Sequence, residues 1–424
     1  MQNSNISSNS KVPKRGLYYG WVILAVCLIV ITISYGARLS FGVFFKSIEQ
    51  EFGWSRALTS SVFSVYMILG SLFAILAGWI ADRYSPKIVF MSMGLFSLLG
   101  FAVASQANVP WHLFLGYSLL VSAGTGPAYA VASATATRWF TQRRGLALGI
   151  VTSGVGLGSI LIAPIAAYLI TDYGWRISYL TIGVIAFAVM TPVSLLLRKN
   201  PAEVLDLPRS VQQASVGSNA SNKSGEEFRE LSAIQIIKDR NFILIFSIWF
   251  FWAFCMFMVT THVVRHAIDL DISPMQAASI LSIYGFANIP ARIVMGLVSD
   301  RLGKKRSALL CAALLAASML WLAQSSNLGM LYVFAIAFGA ATGGLTPPTA
   351  ALIGDTFGVR HVGFVFGLLE IGWVLGAALG PALAGYVFDV TGRYYTAFLF
   401  GAVAALILLV LVVFLRIQVK PARK

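Results

Sequence analysis

The sequence predicts an all-α membrane protein in which twelve transmembrane helices form two six-helix bundles. Of its 424 residues, 58% are hydrophobic and only 11% are charged, whereas soluble domains carry about 25% charged residues. The apolar residues gather in runs of about 20, the length that crosses a bilayer core of about 30 Å. Twelve such runs occur, at residues 18–45, 57–81, 88–106, 110–137, 145–170, 176–197, 240–267, 275–299, 306–324, 328–354, 361–388 and 394–416.

A polar stretch separates the first six predicted spans from the last six. It contains SVQQASVGSNASNKSGEEFRE, a composition typical of flexible linkers. We expect no cleavable signal peptide, because the first 17 residues are polar and basic and lack an apolar core. The expected segments are a tail at 1–17, a bundle at 18–199, a linker at 200–238, a second bundle at 239–416 and a tail at 417–424.

The distribution of charge predicts the orientation of the chain. A net charge of +15 would suit nucleic-acid binding, but most of the 31 Lys and Arg lie in the tails, the linker and the turns of one side. This bias marks that side, and both termini, as cytoplasmic in a plasma or inner membrane. The three cysteines lie in apolar runs without metal-ligand spacing, so we expect neither a metal site nor a cofactor: Cys27, Cys255 and Cys311.

Two turns of the same pattern follow predicted spans 2 and 8. They read GWIADRYSPK and GLVSDRLGKK. Gly78, Asp82 and Arg83 of the first correspond to Gly296, Asp300 and Arg301 of the second, and each turn ends in basic residues, Lys87 in the first and Lys304 with Lys305 in the second. The two aspartates are 218 residues apart, and three glycine pairs keep this offset: Gly145 and Gly363, Gly149 and Gly367, Gly126 and Gly344. A constant offset indicates an internal duplication, which places the substrate path between the bundles.

The duplicated turns favour a conformational role. Asp82 and Asp300 can accept hydrogen bonds from the N-termini of neighbouring helices, and the basic residues can pair across the bundle interface. We expect these contacts to latch the cytoplasmic side while the other side is open. The alternative is a solvated, charged turn that only sets membrane topology.

Arg292 is the most costly residue of the predicted spans. It lies eight residues before Asp300, about 12 Å along a helix and so near the membrane midplane. An arginine there costs roughly 2.5 to 3.5 kcal/mol, which indicates a functional site, and its planar fork suits a carboxylate. Asn288 and Tyr284 share its helix face. We expect Asn288 to orient the same ligand, while Tyr284 either binds it or packs.

Four further polar side chains are candidates for the site. His262 in span 7 either faces the site, where an imidazole can carry a coupled proton, or hydrogen-bonds a backbone group. Glu370 in span 11 is either a proton carrier or the structural partner of an arginine. Arg38 in span 1 either attracts anions or snorkels to the membrane surface. Tyr129, after Gly-Thr-Gly-Pro in span 4, can offer its hydroxyl to a carboxylate.

These features resemble the major facilitator superfamily, in which GxxxDRxxxK turns follow helices 2 and 8 of a six-plus-six arrangement. The resemblance covers the chain outside its tails and linker and implies the major facilitator fold. The stretch THVVRHAIDLDISPMQAASILSIYGFANIPARIVMGLVSDRLG is similar to monocarboxylate transporters and the related bacterial oxalate:formate antiporters, as are YYGWVIL and FGVFFKSIEQEFGWSRA near span 1. In that group the helix 8 arginine binds the substrate carboxylate, a role that falls here on Arg292.

The chain departs from this group at three positions. The helix 1 lysine of the animal members has no exact counterpart, and Arg38 or Leu39 occupies that neighbourhood. Animal members have aspartate four residues before the arginine, where this chain has Asn288, and the antiporters carry a helix 11 lysine that is missing between His361 and Phe388. The resemblance implies a monomeric secondary transporter in a lipid bilayer, working by alternating access. Its partners would be a proton and a small monocarboxylate anion such as lactate or pyruvate. The alternative is an anion exchanger of the oxalate:formate type. No nucleophile–base set indicates an enzyme.

Overall fold

The computed structural model describes residues 19–54, 56–141, 143–198, 233–359 and 361–415. The predicted tails and most of the predicted linker lie outside these residues. The elements in order are α1 (Gly20–Leu39), α2 (Phe41–Phe52), α3 (Arg56–Arg83), α4 (Pro86–Ser105), α5 (Pro110–Leu113), a π-helix (Phe114–Val121), α6 (Ser122–Thr125), α7 (Ala128–Trp139), α8 (Arg144–Ser194), α9 (Ala233–Lys238), α10 (Arg240–Asp269), α11 (Pro274–Leu302), α12 (Lys304–Ala323), α13 (Leu328–Thr356), α14 (Val362–Thr391) and α15 (Tyr394–Phe414).

The described residues form the twelve predicted spans. Ten helical stretches are long and apolar enough to cross a membrane. One of them, α8, has 51 residues, about 75 Å of helix and more than twice the bilayer core. It is broken at Gly174, whose φ of 80° and ψ of 163° are not helical, so it crosses twice. The twelfth crossing is residues 110–139, which the π-helix divides into pieces shorter than a span.

The first span agrees with its predicted bounds of 18–45, since Gly20–Phe44 is long and apolar enough to cross a membrane. Within it, α1 ends at Leu39 and α2 begins at Phe41. Ser40 between them keeps helical φ and ψ values of −67° and −16°, and its N–H bonds the carbonyls of Gly36 and Arg38. Arg38 lies in the last turn of α1 and inside the span.

The two bundles meet along two helix pairs related by the internal duplication. The first half of α8 packs against α11, and α3 packs against α14. A Cβ added to Gly296 would lie 2.5 Å from the Gly145 carbonyl oxygen, and one added to Gly78 would overlap the Gly363 carbonyl. The duplicated glycines thus allow direct backbone contact and set the distance between the bundles.

Each duplicated aspartate caps a helix of the other bundle. The Asp300 carboxylate accepts hydrogen bonds from the backbone N–H groups of Gly145 and Leu146, at 2.8 and 2.9 Å. These two groups belong to the first turn of α8, where N–H groups lack helical partners and carry partial positive charge. Such caps join the bundles on the predicted cytoplasmic side.

The first turn repeats this geometry. Asp82 accepts from the N–H groups of Gly363 and Phe364 at 3.1 and 2.9 Å, at the start of α14. It also pairs with Arg138 of its own bundle. The aspartate and the two residues that donate to it correspond, at an offset of 218 positions, to the aspartate and the two donors of the other cap. The two caps are therefore copies of one contact.

Ion pairs on the same side involve an acid that the sequence analysis did not single out. Asp355, at the end of α13, pairs with Arg144 of the first bundle at 2.5 Å and with Lys304 of its own bundle. The guanidinium of Arg83 lies 5.5 Å from the centre of the Trp79 ring. Lys87 and Arg301 make no ion pair with another described residue, so the cross-bundle pair is made by Arg144 instead.

We expect Gly296→Ala to separate the bundles and Gly285→Ala to leave them in place. Both positions lie in α11, but a Cβ at Gly296 meets the backbone of Gly145, whereas nothing lies within 4 Å of a Cβ at Gly285. Overpacking costs about 1–3 kcal/mol, while alanine alone favours a helix. Thermal unfolding of the detergent-solubilised protein should show a lower Tm for Gly296→Ala only. Equal Tm values would contradict the close contact.

Candidate functional site

The polar centre of α11 is a short chain of hydrogen bonds. Asn288 and Arg292 are four residues apart on one helix face, and the arginine Nε donates to the Asn288 Oδ1 at 3.0 Å. The Asn288 Nδ2 in turn donates to the Thr342 Oγ1 at 3.1 Å and the Gly339 carbonyl at 3.3 Å. Both acceptors belong to α13, so a neighbouring helix fixes the orientation of the amide. The amide then holds one edge of the guanidinium.

Arg292 is buried at the bundle interface without a carboxylate partner. It is only 6% exposed, and its Nη1 donates across the interface to the Thr152 carbonyl of α8 at 2.8 Å. No described Asp or Glu forms an ion pair with it, and its Nη2 has no hydrogen-bond partner among the same residues. Since charges in low-dielectric surroundings are normally paired, this arrangement leaves an unbalanced positive charge between the bundles.

Unpartnered hydroxyls lie on the first-bundle side of this arginine. Tyr129, Tyr284 and Tyr35 are close enough to Arg292 to interact with its charge. The buried hydroxyls of Tyr129 and of Ser133, one turn further along α7, are close enough to interact with each other but bond no other described residue, and the buried Thr152 hydroxyl bonds none. Buried hydroxyls without partners cost about 1–3 kcal/mol each. The site therefore has donors and acceptors that a polar ligand would satisfy.

A small cavity, with room for about one water molecule, lies next to this cluster, between α1, α3 and α14. Arg38 and Glu370 line it from opposite bundles and are 9% and 5% exposed. They do not form an ion pair within 4 Å, yet each is close enough to feel the charge of the other. Tyr35 and Tyr129 interact with Glu370 as well as with Arg292. The two arginines and the glutamate thus belong to one interfacial region.

The remaining candidate, His262, is held inside the second bundle. Its Nε2 lies 3.0 Å from the Pro381 carbonyl, and its Nδ1 lies 3.3 Å from the Tyr394 hydroxyl. A neutral imidazole satisfies both contacts by donating to the carbonyl and accepting from the hydroxyl. The structure does not bring His262 into contact with Arg292. Over the described chain, no group of three or more His, Cys, Asp or Glu could hold a metal ion.

Aromatic side chains form an apolar wall beside Tyr129. The rings of Tyr129 and Trp249 are 5.6 Å apart and edge-to-face, and Trp249 contacts Trp373 at 6.3 Å. Phe366 packs on both Tyr129 and Trp249. This wall comes from α10 and α14 of the second bundle. It can cover the hydrocarbon part of a ligand whose charged end lies at Arg292.

Several residues of this region were not predicted from the sequence. Tyr35 lies three positions before Arg38, on the same helix face, and this spacing is a signal that could have identified it. The cation–π contact between the two measures 5.3 Å. Thr152 and Thr342 carry no comparable signal, since threonines in apolar helices usually bond their own backbone. Only the contact between helices reveals them.

Comparison with known proteins places this architecture in a family. The model of the Major Facilitator Superfamily matches residues 24–269 and 266–424. The chain is 27% identical over 382 residues to monocarboxylate transporter 13 of Rattus norvegicus, covering 90% of this chain and 85% of that protein. It is 27% identical over 421 residues to monocarboxylate transporter 12 of Mus musculus, covering 94% and 86%.

Solved structures share the fold. The superfamily transporter FucP in its outward conformation superposes with a TM-score of 0.73 at 16% identity, covering 94% of this chain and 99% of that one. The proton:xylose symporter XylE superposes with a TM-score of 0.72 at 12% identity, covering 94% and 96%. With a family model that spans nearly the whole chain, the interfacial arginines and the duplicated bundles lead to one conclusion: the chain belongs to the major facilitator superfamily and is a multi-pass membrane transporter, not an enzyme.

Proposed function

We propose that this chain is a secondary transporter of small monocarboxylate anions resembling lactate or pyruvate, coupled to a proton and working by alternating access. The observation that carries the proposal is Arg292, buried between the bundles with no carboxylate partner among the described residues. The names of the relatives, monocarboxylate transporters 12 and 13, support the substrate class. The bias of basic residues supports a plasma or inner membrane with cytoplasmic termini.

The balance of buried charge favours a monoanion. Arg38, Arg292 and Glu370 are the buried charged side chains of the interfacial region. While Glu370 is ionised, before the coupled proton binds, it offsets Arg38, so one positive charge remains at Arg292. A single carboxylate supplies the missing countercharge, whereas a dicarboxylate would leave an excess negative charge in surroundings where unpaired charge is costly.

The substrate carboxylate is proposed to bind the free edge of the Arg292 guanidinium. Asn288 accepts from the Nε and the Thr152 carbonyl accepts from the Nη1, so the Nη2 and the second N–H of the Nη1 remain for a charge-assisted hydrogen bond to the ligand. The Tyr129 hydroxyl would donate to a carboxylate oxygen, and Tyr284 is also close enough to interact with the charge of Arg292. The ring wall around Trp249 would cover the short alkyl group.

Glu370 is the proposed proton carrier. Its carboxylate faces the cavity and makes no hydrogen bond with another described residue, whereas both nitrogens of His262 have partners. Binding an anion together with a proton leaves the net charge of the interfacial region the same as in the empty protein. We propose that only the empty protein and the protein that holds both the anion and the proton complete the cycle. An anion alone or a proton alone would change the net charge buried between the bundles.

Alternating access would depend on the contacts between Asp82, Asp300, Asp355 and their partners. They close the predicted cytoplasmic side, and the two helix caps are related by the duplication. Rocking of one bundle against the other around the central site would break these contacts and form others at the opposite side. The turns of Gly78–Lys87 and Gly296–Lys304 would thus act as the latch.

We expect Arg292→Lys to abolish most uptake while the protein still inserts and folds. An ammonium cannot replace the planar fork, and losing a hydrogen bond to a charged group costs about 1.5–3 kcal/mol, or roughly a 10- to 100-fold rise in KM for lactate. Arg265→Lys is the matched control, since this exposed arginine pairs only with Asp269. Uptake of labelled lactate into proteoliposomes checks both. An unchanged KM in Arg292→Lys would exclude the proposed anchor.

We expect Glu370→Gln to lose uptake driven by an inward proton gradient while retaining exchange of lactate at equal pH on both sides. The amide keeps the shape of the side chain but cannot carry the proton. If this variant still responds to the gradient and His262→Gln does not, the proton travels on the imidazole. If the unaltered protein ignores the gradient and requires an internal anion, the chain is an exchanger of the oxalate:formate type.

We expect Asp355→Asn to open the predicted cytoplasmic side. The substitution removes the ion pairs to Arg144 and Lys304, which are partly exposed and together contribute about 1 kcal/mol, or roughly fivefold in population. Spin labels at the exposed residues Tyr84 and Leu302 should report a longer mean distance. Asp271→Asn, an exposed acid at the opposite end of the bundle, is the control. An unchanged distance distribution would contradict the latch.

A further inference from the structure

The cavity beside Arg292 owes its existence to the way the duplicated halves have diverged. The positions 218 residues before Asn288 and Arg292 are Gly70 and Ala74. Gly70 lines the cavity, so the volume that an asparagine side chain fills in the second half is empty in the first. The position 218 residues after Thr152 is Glu370. The set of Asn288 and Thr152 is therefore filled and neutral, whereas the corresponding set of Gly70 and Glu370 leaves an open space beside a carboxyl group.

The two charged groups of this cavity lack strong partners of their own. Arg38 donates from its Nη2 to the Sδ of Met67 at 2.6 Å, and a thioether is a weak acceptor. Its other contacts are the faces of Tyr35 and Tyr66. Glu370 makes no hydrogen bond with any described residue although it is 95% buried. A donor and an acceptor thus face one space without satisfying each other.

The other polar groups around the cavity are already bonded. The Tyr66 hydroxyl bonds the Thr125 Oγ1 at 2.6 Å, and the Ser71 hydroxyl donates to the Ile68 carbonyl at 2.7 Å. Met67, Gly70 and Val374 complete an apolar lining. Recognition of a ligand in this space therefore falls to Arg38 and Glu370.

We propose that this cavity is a second subsite that binds a hydroxyl group of the substrate, between the Glu370 carboxyl group and the Arg38 guanidinium. A hydroxyl can donate to a carboxyl oxygen, whether or not that group also carries the coupled proton, and accept from the guanidinium at once. An ammonium group would face Arg38, and a second carboxylate would face Glu370 whenever that group is ionised, so the charges of the cavity disfavour both. The space between the lining residues holds about one water molecule, which matches a single hydroxyl group.

The preferred substrates are then hydroxylated monocarboxylates, with the carboxylate at Arg292 and the hydroxyl in the cavity. This inference rests on the proposed function, because it takes the Arg292 site as the carboxylate anchor. It adds a selectivity that the anchor alone does not provide. A site built to hydrogen-bond a hydroxyl discriminates against the analogue that lacks it, since its own polar groups are then left unpaired.

The experiment measures competition against labelled lactate exchange in proteoliposomes at equal internal and external pH. The competitors are butyrate and its 2-, 3- and 4-hydroxy derivatives. We expect at least one hydroxybutyrate to compete roughly tenfold better than butyrate, and this ratio to fall toward one in Glu370→Leu, which has no hydrogen-bond acceptor at this position. Measuring the ratio cancels any loss of total activity, including a loss of proton coupling.

Gly70→Ala provides an independent variant. An added Cβ there would lie 3.6 Å from the Gly126 Cα and 3.8 Å from the Ser122 Cβ, which are ordinary contacts, so the protein should fold while the cavity shrinks. We expect hydroxybutyrates to lose affinity by several-fold and butyrate to be unaffected. Gly285→Ala is the matched control.

Equal competition by butyrate and all three hydroxybutyrates in the unaltered protein would overturn the hydroxyl subsite and leave monocarboxylate transport standing. A hydroxyl preference that persists unchanged in both Glu370→Leu and Gly70→Ala would also overturn it, since the preference would then arise elsewhere. Absence of lactate exchange, with no competition by any acid, would instead refute the proposed function itself.

Discussion

The structure depends on burying Arg292 between two bundles without neutralising it. Hydrogen bonds to Asn288 and to the Thr152 carbonyl hold the guanidinium in place and satisfy part of it, but neither carries a negative charge. An aspartate in place of Asn288 could pair with the arginine and offset its charge whenever the aspartate is ionised. The neutral amide instead fixes the geometry and leaves the charge for an incoming anion.

The internal duplication explains how a tightly packed interface can hold a buried arginine without a carboxylate partner. Both halves keep the glycine contacts and the aspartate caps, and these features set the spacing of the helices. Because these contacts hold both pairs of helices in place, the residues at the centre of the interface can differ between the two halves. Asn288 and Arg292 fill one side of the interface, while Gly70 and Ala74 leave the other side open to Glu370 and Arg38. The asymmetry of the site is thus built on a symmetrical frame.

Features that depend on local composition or helical period could be predicted from the sequence. The twelve spans, the repeat of the two turns and the shared face of Asn288 and Arg292 are of this kind. Contacts between distant segments could not. Nothing in the spacing of Arg38 and Glu370 indicates a common cavity, and Asp355 shows no pattern that pairs it with Arg144. The ring of His262 bonds Pro381 and Tyr394, and only tertiary packing determines those partners.

The same two helices carry the proposed substrate anchor and one of the caps on the predicted cytoplasmic side, so a movement at one end must reach the other. On α11, Arg292 and Asp300 are two turns apart, and both bond to α8, at Thr152 and at Gly145. Between them the backbones touch, since a Cβ at Gly149 would overlap the Arg292 carbonyl. A pair of helices in backbone contact cannot shift at the cap without shifting at Arg292, because close-packed interfaces transmit displacement rather than absorb it. In the proposed transport cycle the geometry of Arg292 would therefore differ between the two end states, and this difference is the condition for a ligand bound there to influence the movement of the bundles.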